Sequence, residues 1–222
     1  LASLVSLLFE HPPHHEVGFL TFNYDVGLEL ALATNQLPFS YCMDTNLSPA
    51  FSSLPVRKFP PIPVCKLHGS LNWLAVPRAD NTPASIKYFD PCAELILQHQ
   101  RGPNREVILD TAAGLRRIAS PSGTGEARPL IVPPTESKAT ARQTMAPIWT
   151  KAGQLLREAE NIFVIGFSLP ETDMFFRRFF SVCMISNTMV RRLWICDASN
   201  APYQRFEQIV GPALTSRAEC FK

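Results

Sequence analysis

The strongest constraint on this chain is the way its apolar runs end. VGFLTF (17–22) stops at Asn23-Tyr24-Asp25 and IPVCKL (62–67) at His68-Gly69-Ser70. IFVI (162–165) stops at Gly166-Phe167-Ser168, and LWIC (193–196) at Asp197-Ala198-Ser199. Short runs rich in β-branched, aromatic and aliphatic residues, bounded by small or polar groups, read as buried strands. Segments with helical spacing stand between them. NYDVGLELALAT (23–34) has Glu29 set among apolar residues, and MAPIWTKAGQLLREAE (145–160) repeats Ile148, Trp149, Ala152, Leu155, Leu156 and Ala159 at three and four. Further helices are predicted over about 172–186 and 202–210, after the strand NIFVIGFSL (161–169), read as central, and the strand VRRLWICD (190–197). Strands alternating with helices imply βαβ units and an α/β fold, a Rossmann-like parallel sheet with helices on both faces. Ligands of such sheets bind outside the carboxyl ends of the strands.

Composition narrows the function classes. The 222 residues carry a net charge of +2 and no run of five or six like charges, which argues against a nucleic-acid surface, since phosphate binding needs clustered Lys and Arg. The longest apolar stretch, IFVIGFSLP (162–170), falls far short of the roughly 20 residues that span a bilayer, so no membrane partner is expected. Cys42, Cys65, Cys92, Cys183, Cys196 and Cys220 form no C-x-x-C pair, and several lie inside apolar runs. They read as reduced, buried cysteines of a cytoplasmic protein. His11, His14 and His15 in HPPHH lack partner ligands, and no metal is expected.

The rest of the chain reads as one domain over 1–222. LASLVSLLFE is the tail of an amphipathic helix, ended by HPPHHE. A Pro-rich stretch over 49–63 is extended loop, 77–128 is an insertion or small subdomain, and PLIVPP (129–134) is a short strand. Asn46-Leu47-Ser48 carries no glycosylation meaning in an intracellular chain. In MFFRRFF (174–180) the phenylalanines exceed one helical face, which reads as a buried helix with Arg177 and Arg178 on its open side.

Taken in order, TFNYD, KLHGS, PLIVPP and IGFSLPETD resemble the sirtuin-like superfamily of NAD-consuming enzymes. The likeness is to the bacterial branch that carries T-x-N-Y-D and L-H-G-S-x-N-W, and it covers roughly 17–76 and 129–200. It implies NAD as substrate, no metal, and cleavage of the bond between nicotinamide and ribose, leaving nicotinamide and ADP-ribose. Asn23 would orient the ribose or the attacking water, Asp25 would help hold the nicotinamide end, and His68 would be the base. Thr21, Gly69, Gly166 and Ser168 would line the cofactor, and Asp197 is placed by position at the adenosine ribose. Each has a plain rival: Asn23 or Asp25 as helix caps, His68 as a hydrogen-bonded core histidine, Ser168 as a turn residue before Pro170. Glu171 and Asp173 read as helix-start charges.

Two departures from the family shape the expectation. No glycine-rich loop follows a first strand; Gly123 and Gly125 in SPSGTGEA follow none. The first βα unit is therefore expected to be missing from this chain, and the NAD hydrolase activity is expected of the intact parent rather than of this chain alone. The paired C-x-x-C zinc module of the family's deacylases is absent too, which favours hydrolysis of NAD over protein deacylation. In the bacterial branch such activity serves antiphage defence, with a sensor or effector domain fused alongside; a homo-oligomer is compatible with this. The alternatives are a deacylase or ADP-ribosyl transferase, and a non-catalytic domain that senses NAD or ADP-ribose.

Overall fold

Apolar periodicity and turn residues set most elements close to their predicted places. The computed structural model describes residues 1–9, 16–43, 60–76, 84–88, 128–132 and 139–217. They fall into two compact units, one within Leu1–Pro133 and Lys138–Trp149, the other within Thr150–Lys222. HPPHH, Asn46-Leu47-Ser48, the Pro-rich stretch up to 59, Cys92, Gly123, Gly125, Cys220 and all of 77–128 except 84–88 and 128 lie outside the described residues.

In the first unit, helix α1 (Ala2–Leu8) packs on α2 (Gly27–Thr34), and Asn35 Nδ2 reaches the Ala2 carbonyl at 3.2 Å. Strands β1 (Phe19–Thr21), β2 (Phe39–Ser40) and β3 (Ile62–Lys66) are parallel, in the order β1-β3-β2. The register sets Thr21 beside Lys66, so the residues that follow both strands leave the same edge. The core here is Leu32, Leu37, Phe39, Val64, Cys65, Leu67 and Trp73.

The single parallel sheet predicted from the sequence is met only in part, because the architecture is mixed α/β with small parallel and antiparallel sheets. The cause is local. A crossover between parallel strands takes a dozen or more residues. After Lys66 the chain instead turns within Leu67-His68 and enters β4 (Gly69–Val76). Strand β4 then pairs antiparallel with β5 (Ser85–Tyr88) and β6 (Arg128–Ile131). Gly69 makes the turn possible: its φ is +86°, and a Cβ there would stand 2.0 Å from the Leu130 carbonyl oxygen. The approach is sealed by the Val132 amide, which donates to the His68 carbonyl at 2.8 Å.

Helix α3 (Ala139–Glu158) starts earlier than its periodicity suggests and includes Pro147. In the second unit β7 (Asn161–Ile165), β8 (Arg192–Cys196) and β9 (Thr215–Arg217) are parallel, in the order β7-β8-β9. The sequence suggests a central β7, but among the described residues it pairs only with β8, and Phe163 and Ile165 on one of its faces are more than half exposed. Helices α4 (Met174–Ser186) and α5 (Ala201–Val210) connect these strands. Asp173 caps α4 by accepting the Phe176 amide at 3.1 Å, the helix-start role its position implies. The helix is buried on one face only: Phe176 and Phe180 pack in line with Phe206, while Phe175 and Arg178 are exposed and Arg177 is half-buried. Buried Asn187 ties helix ends together, donating to the Leu156 and Ala159 carbonyls and accepting the Met189 and Val190 amides. No helix among the described residues is long and apolar enough to cross a membrane.

Two glycines of positive φ give a graded test. Gly166 has φ +64° with no described atom within 4 Å of the position a methyl group would take, so Gly166→Ala is expected to carry the left-handed backbone cost of about 1–2 kcal/mol. Gly69→Ala adds a collision with backbone and should cost on the order of 4–5 kcal/mol, among the largest single-residue effects. Urea denaturation of both variants checks the ranking, and equal losses would contradict it.

Candidate functional site

Each predicted site residue stands at or just beyond the carboxyl end of a strand, as a ligand site in a parallel sheet requires. The first unit gathers Thr21, Asn23, Asp25, His68 and Gly69; the second gathers Gly166, Ser168 and Asp197.

In the first unit the loop after β1 is held from several sides. The Thr21 hydroxyl accepts the Asn23 amide at 3.1 Å, which leaves the Asn23 side chain exposed at the rim. Asp25 Oδ1 accepts the Gly27 amide at 2.8 Å, a local turn two residues on; the N-cap of α2 is Val26, so Asp25 does not cap the helix. The Leu67 amide donates to the Thr21 carbonyl and the Leu71 amide to the Tyr24 carbonyl, each at 2.9 Å. His68 is buried to about nine-tenths, with its ring edge-to-face against Phe22 at 5.2 Å and tilted near Tyr24 at 6.5 Å. Burial pushes the Tyr24 phenol above its ordinary range, so the ring beside His68 is neutral at working pH.

Beneath this loop lies a network of buried polar side chains. Lys66 is 1% exposed and Glu29 0%, and the Lys66 ammonium meets Glu29 Oε1 at 2.9 Å. Lys66 Nζ also donates to the Asp25 carbonyl. The Tyr41 hydroxyl donates to the same Glu29 oxygen at 3.0 Å, and Asn72 Nδ2 donates to Tyr41 Oη at 3.0 Å. Ser70 Oγ donates to Asn72 Oδ1 at 2.6 Å and lies 3.2 Å from the Tyr24 carbonyl oxygen. The path runs from the Tyr24 carbonyl through Ser70, Asn72, Tyr41, Glu29 and Lys66 to the Asp25 carbonyl. It therefore returns to the loop that carries Asn23.

The second unit holds its loop differently. Ile165 lies opposite Cys196, and the Gly166 amide donates to the Cys196 carbonyl at 3.0 Å. Arg205 Nη1 donates to the Ser168 carbonyl at 2.8 Å, and Arg177 Nη1 reaches the Leu169 carbonyl at 3.4 Å. Leu169, fully buried, sits at φ +48°, strain that the surrounding contacts hold in place. Asp197 Oδ1 accepts both the amide and the hydroxyl of Ser199, at 2.8 and 3.1 Å, so this carboxylate shapes its own turn.

Sequence reasoning missed Lys66, Glu29, Tyr41, Ser70 and Asn72 as supports, and Arg177 and Arg205 as loop anchors. A charge alone among apolar neighbours in α2 was the available signal for Glu29, and a lysine ending an apolar strand the signal for Lys66. Among the described residues no group of three or more His, Cys, Asp or Glu side chains is arranged to hold a metal ion. No family model matches the sequence, and no curated protein matches it significantly.

Removing one partner of a buried ion pair strands the other, at about 3–5 kcal/mol. Lys66→Met is expected to lose that much in urea denaturation. The double variant Lys66→Met/Glu29→Leu should recover more than half of it, because no unmatched charge remains. Equal stability of single and double variants would show that the pair is not the support described.

Proposed function

We propose that this protein hydrolyses NAD to nicotinamide and ADP-ribose, on a Rossmann-like arrangement of the sirtuin type. The observation that carries the reading is the β1–β3 register, which brings the Asn23 loop and the His68 turn to one carboxyl edge over a shared buried support. An exposed carboxamide and a largely buried imidazole leaving one strand edge suit a reaction that must orient one water and move one proton while excluding other water.

In this reaction the C1′–nitrogen bond breaks and its electron pair leaves with nicotinamide. Water adds to the oxocarbenium-like ribose carbon and gives up a proton. The Asn23 amide orients the ribose or that water. His68 takes the proton, its ring packed edge-to-face on Phe22. Asp25 already accepts a backbone amide, so any contact it makes to NAD shares its carboxylate with a turn.

His68→Ala and Asn23→Ala should each lower the rate of NAD loss by about 10²–10⁴, the usual worth of a general base or of a well-placed orienting group, with far-ultraviolet circular dichroism unchanged. Chromatography of nicotinamide release measures it. Full turnover in a folded His68→Ala variant would remove the histidine from the chemistry, and no turnover in the wild-type protein would remove the reaction.

A further inference from the structure

Cys42 Sγ and Cys65 Sγ lie 4.0 Å apart in the first unit. Cys65 is fully buried on β3, immediately before Lys66, and Cys42 is half-buried two residues past β2, immediately after Tyr41. A disulfide needs sulfurs at about 2.05 Å, so a movement of about 2 Å, shared between the two segments, would close the bond. Cys42 is at φ +61°, a left-handed conformation that a residue with a Cβ holds at a cost. The residues next door grip one carboxylate: Tyr41 and Lys66 both donate to Glu29 Oε1. A bond between Cys42 and Cys65 would therefore pull on both arms of the network that clamps the Tyr24-Asp25 backbone.

We propose that Cys42 and Cys65 form a peroxide-oxidisable pair whose closure to a disulfide resets that clamp. Hydrogen peroxide is the oxidant. The Cys42 thiolate attacks one peroxide oxygen, the O–O bond breaks, and the departing hydroxide leaves as water with the thiol's proton, giving a sulfenic acid. The Cys65 sulfur then attacks the Cys42 sulfur, the S–O bond breaks, and a second water leaves. The two sulfurs give up two electrons, which the peroxide accepts. Cys183 is the internal contrast to Cys42: it is buried where Cys42 is half-buried, and burial pushes its thiol up against the opposing pull of Arg157.

The test treats the protein with submillimolar hydrogen peroxide and maps disulfide-linked peptides by mass spectrometry. Hydrogen exchange of the Leu71 amide, which donates to the Tyr24 carbonyl, reads the clamp in parallel. A Cys42–Cys65 peptide is expected within minutes, with a change of at least threefold in Leu71 exchange, both reversed by dithiothreitol. Cys42→Ser and Cys42→Ala should each abolish both responses while leaving the reduced protein's exchange rate intact. Absence of the linked peptide, or linkage to another cysteine instead, would overturn the pair; linkage with unchanged Leu71 exchange would overturn its coupling to the clamp. Any effect on turnover rests on the NAD reading above. A protein that never consumes NAD would sink that reading, while the linked peptide and the exchange rate would still decide this one.

Discussion

Lys66 sits at the end of a strand with its side chain almost wholly out of water, and the first unit is organised around matching it. Burying an ammonium and a carboxylate costs several kcal/mol each, and their attraction offsets that only when good geometry and further hydrogen bonds complete the pair. Glu29 supplies the opposite charge from α2, the Asp25 carbonyl takes another ammonium proton, and Tyr41 adds a donor to the carboxylate. Since α2, β3, the segment after β2 and the loop after β1 each contribute a member, none can move without leaving a buried polar group unmatched. Apolar packing would hold these elements together, but it would not specify their rotation so narrowly.

That rigidity sits where the candidate chemistry is. The Asn23 side chain is exposed, but its backbone is framed by Thr21 on one side and by the clamped Tyr24-Asp25 carbonyls on the other. His68 is part of the turn that Gly69 permits, and Leu130 seals that turn so closely that a methyl group would not fit. In the second unit the GFSL loop is held by two guanidinium groups and by a buried leucine in a left-handed conformation. Each unit thus builds a firm polar edge by different means, ionic in one case and through backbone anchoring in the other.

Much of this was readable along the chain. The helices and β1, β3, β6, β7 and β8 follow from periodicity, while β2, β4, β5 and β9 do not, and every polar strand end named from the sequence does stand at a carboxyl edge. The turn at Leu67-His68 was not readable as the start of an antiparallel sheet, because L-H-G-S is equally compatible with a loop leading to a helix. Strand β2 is two residues long, too short for a period-two pattern to register. Asp25 and Asp197 were named for a ligand, yet both carboxylates accept an amide two residues on, a choice between two uses that residue type cannot make.

The sequence by itself determined where β1, β3, β6, β7, β8 and the helices form and which polar groups end their strands, because both depend on neighbours within a few residues. Only the tertiary structure decided that Lys66 faces Glu29 across 37 positions, that Ser70 and Asn72 complete a path back to Tyr24, and that Cys42 lies against Cys65. Those pairings arise because a buried charge must find its partner wherever the packed strands and helices bring one within reach, and no local pattern encodes that distance.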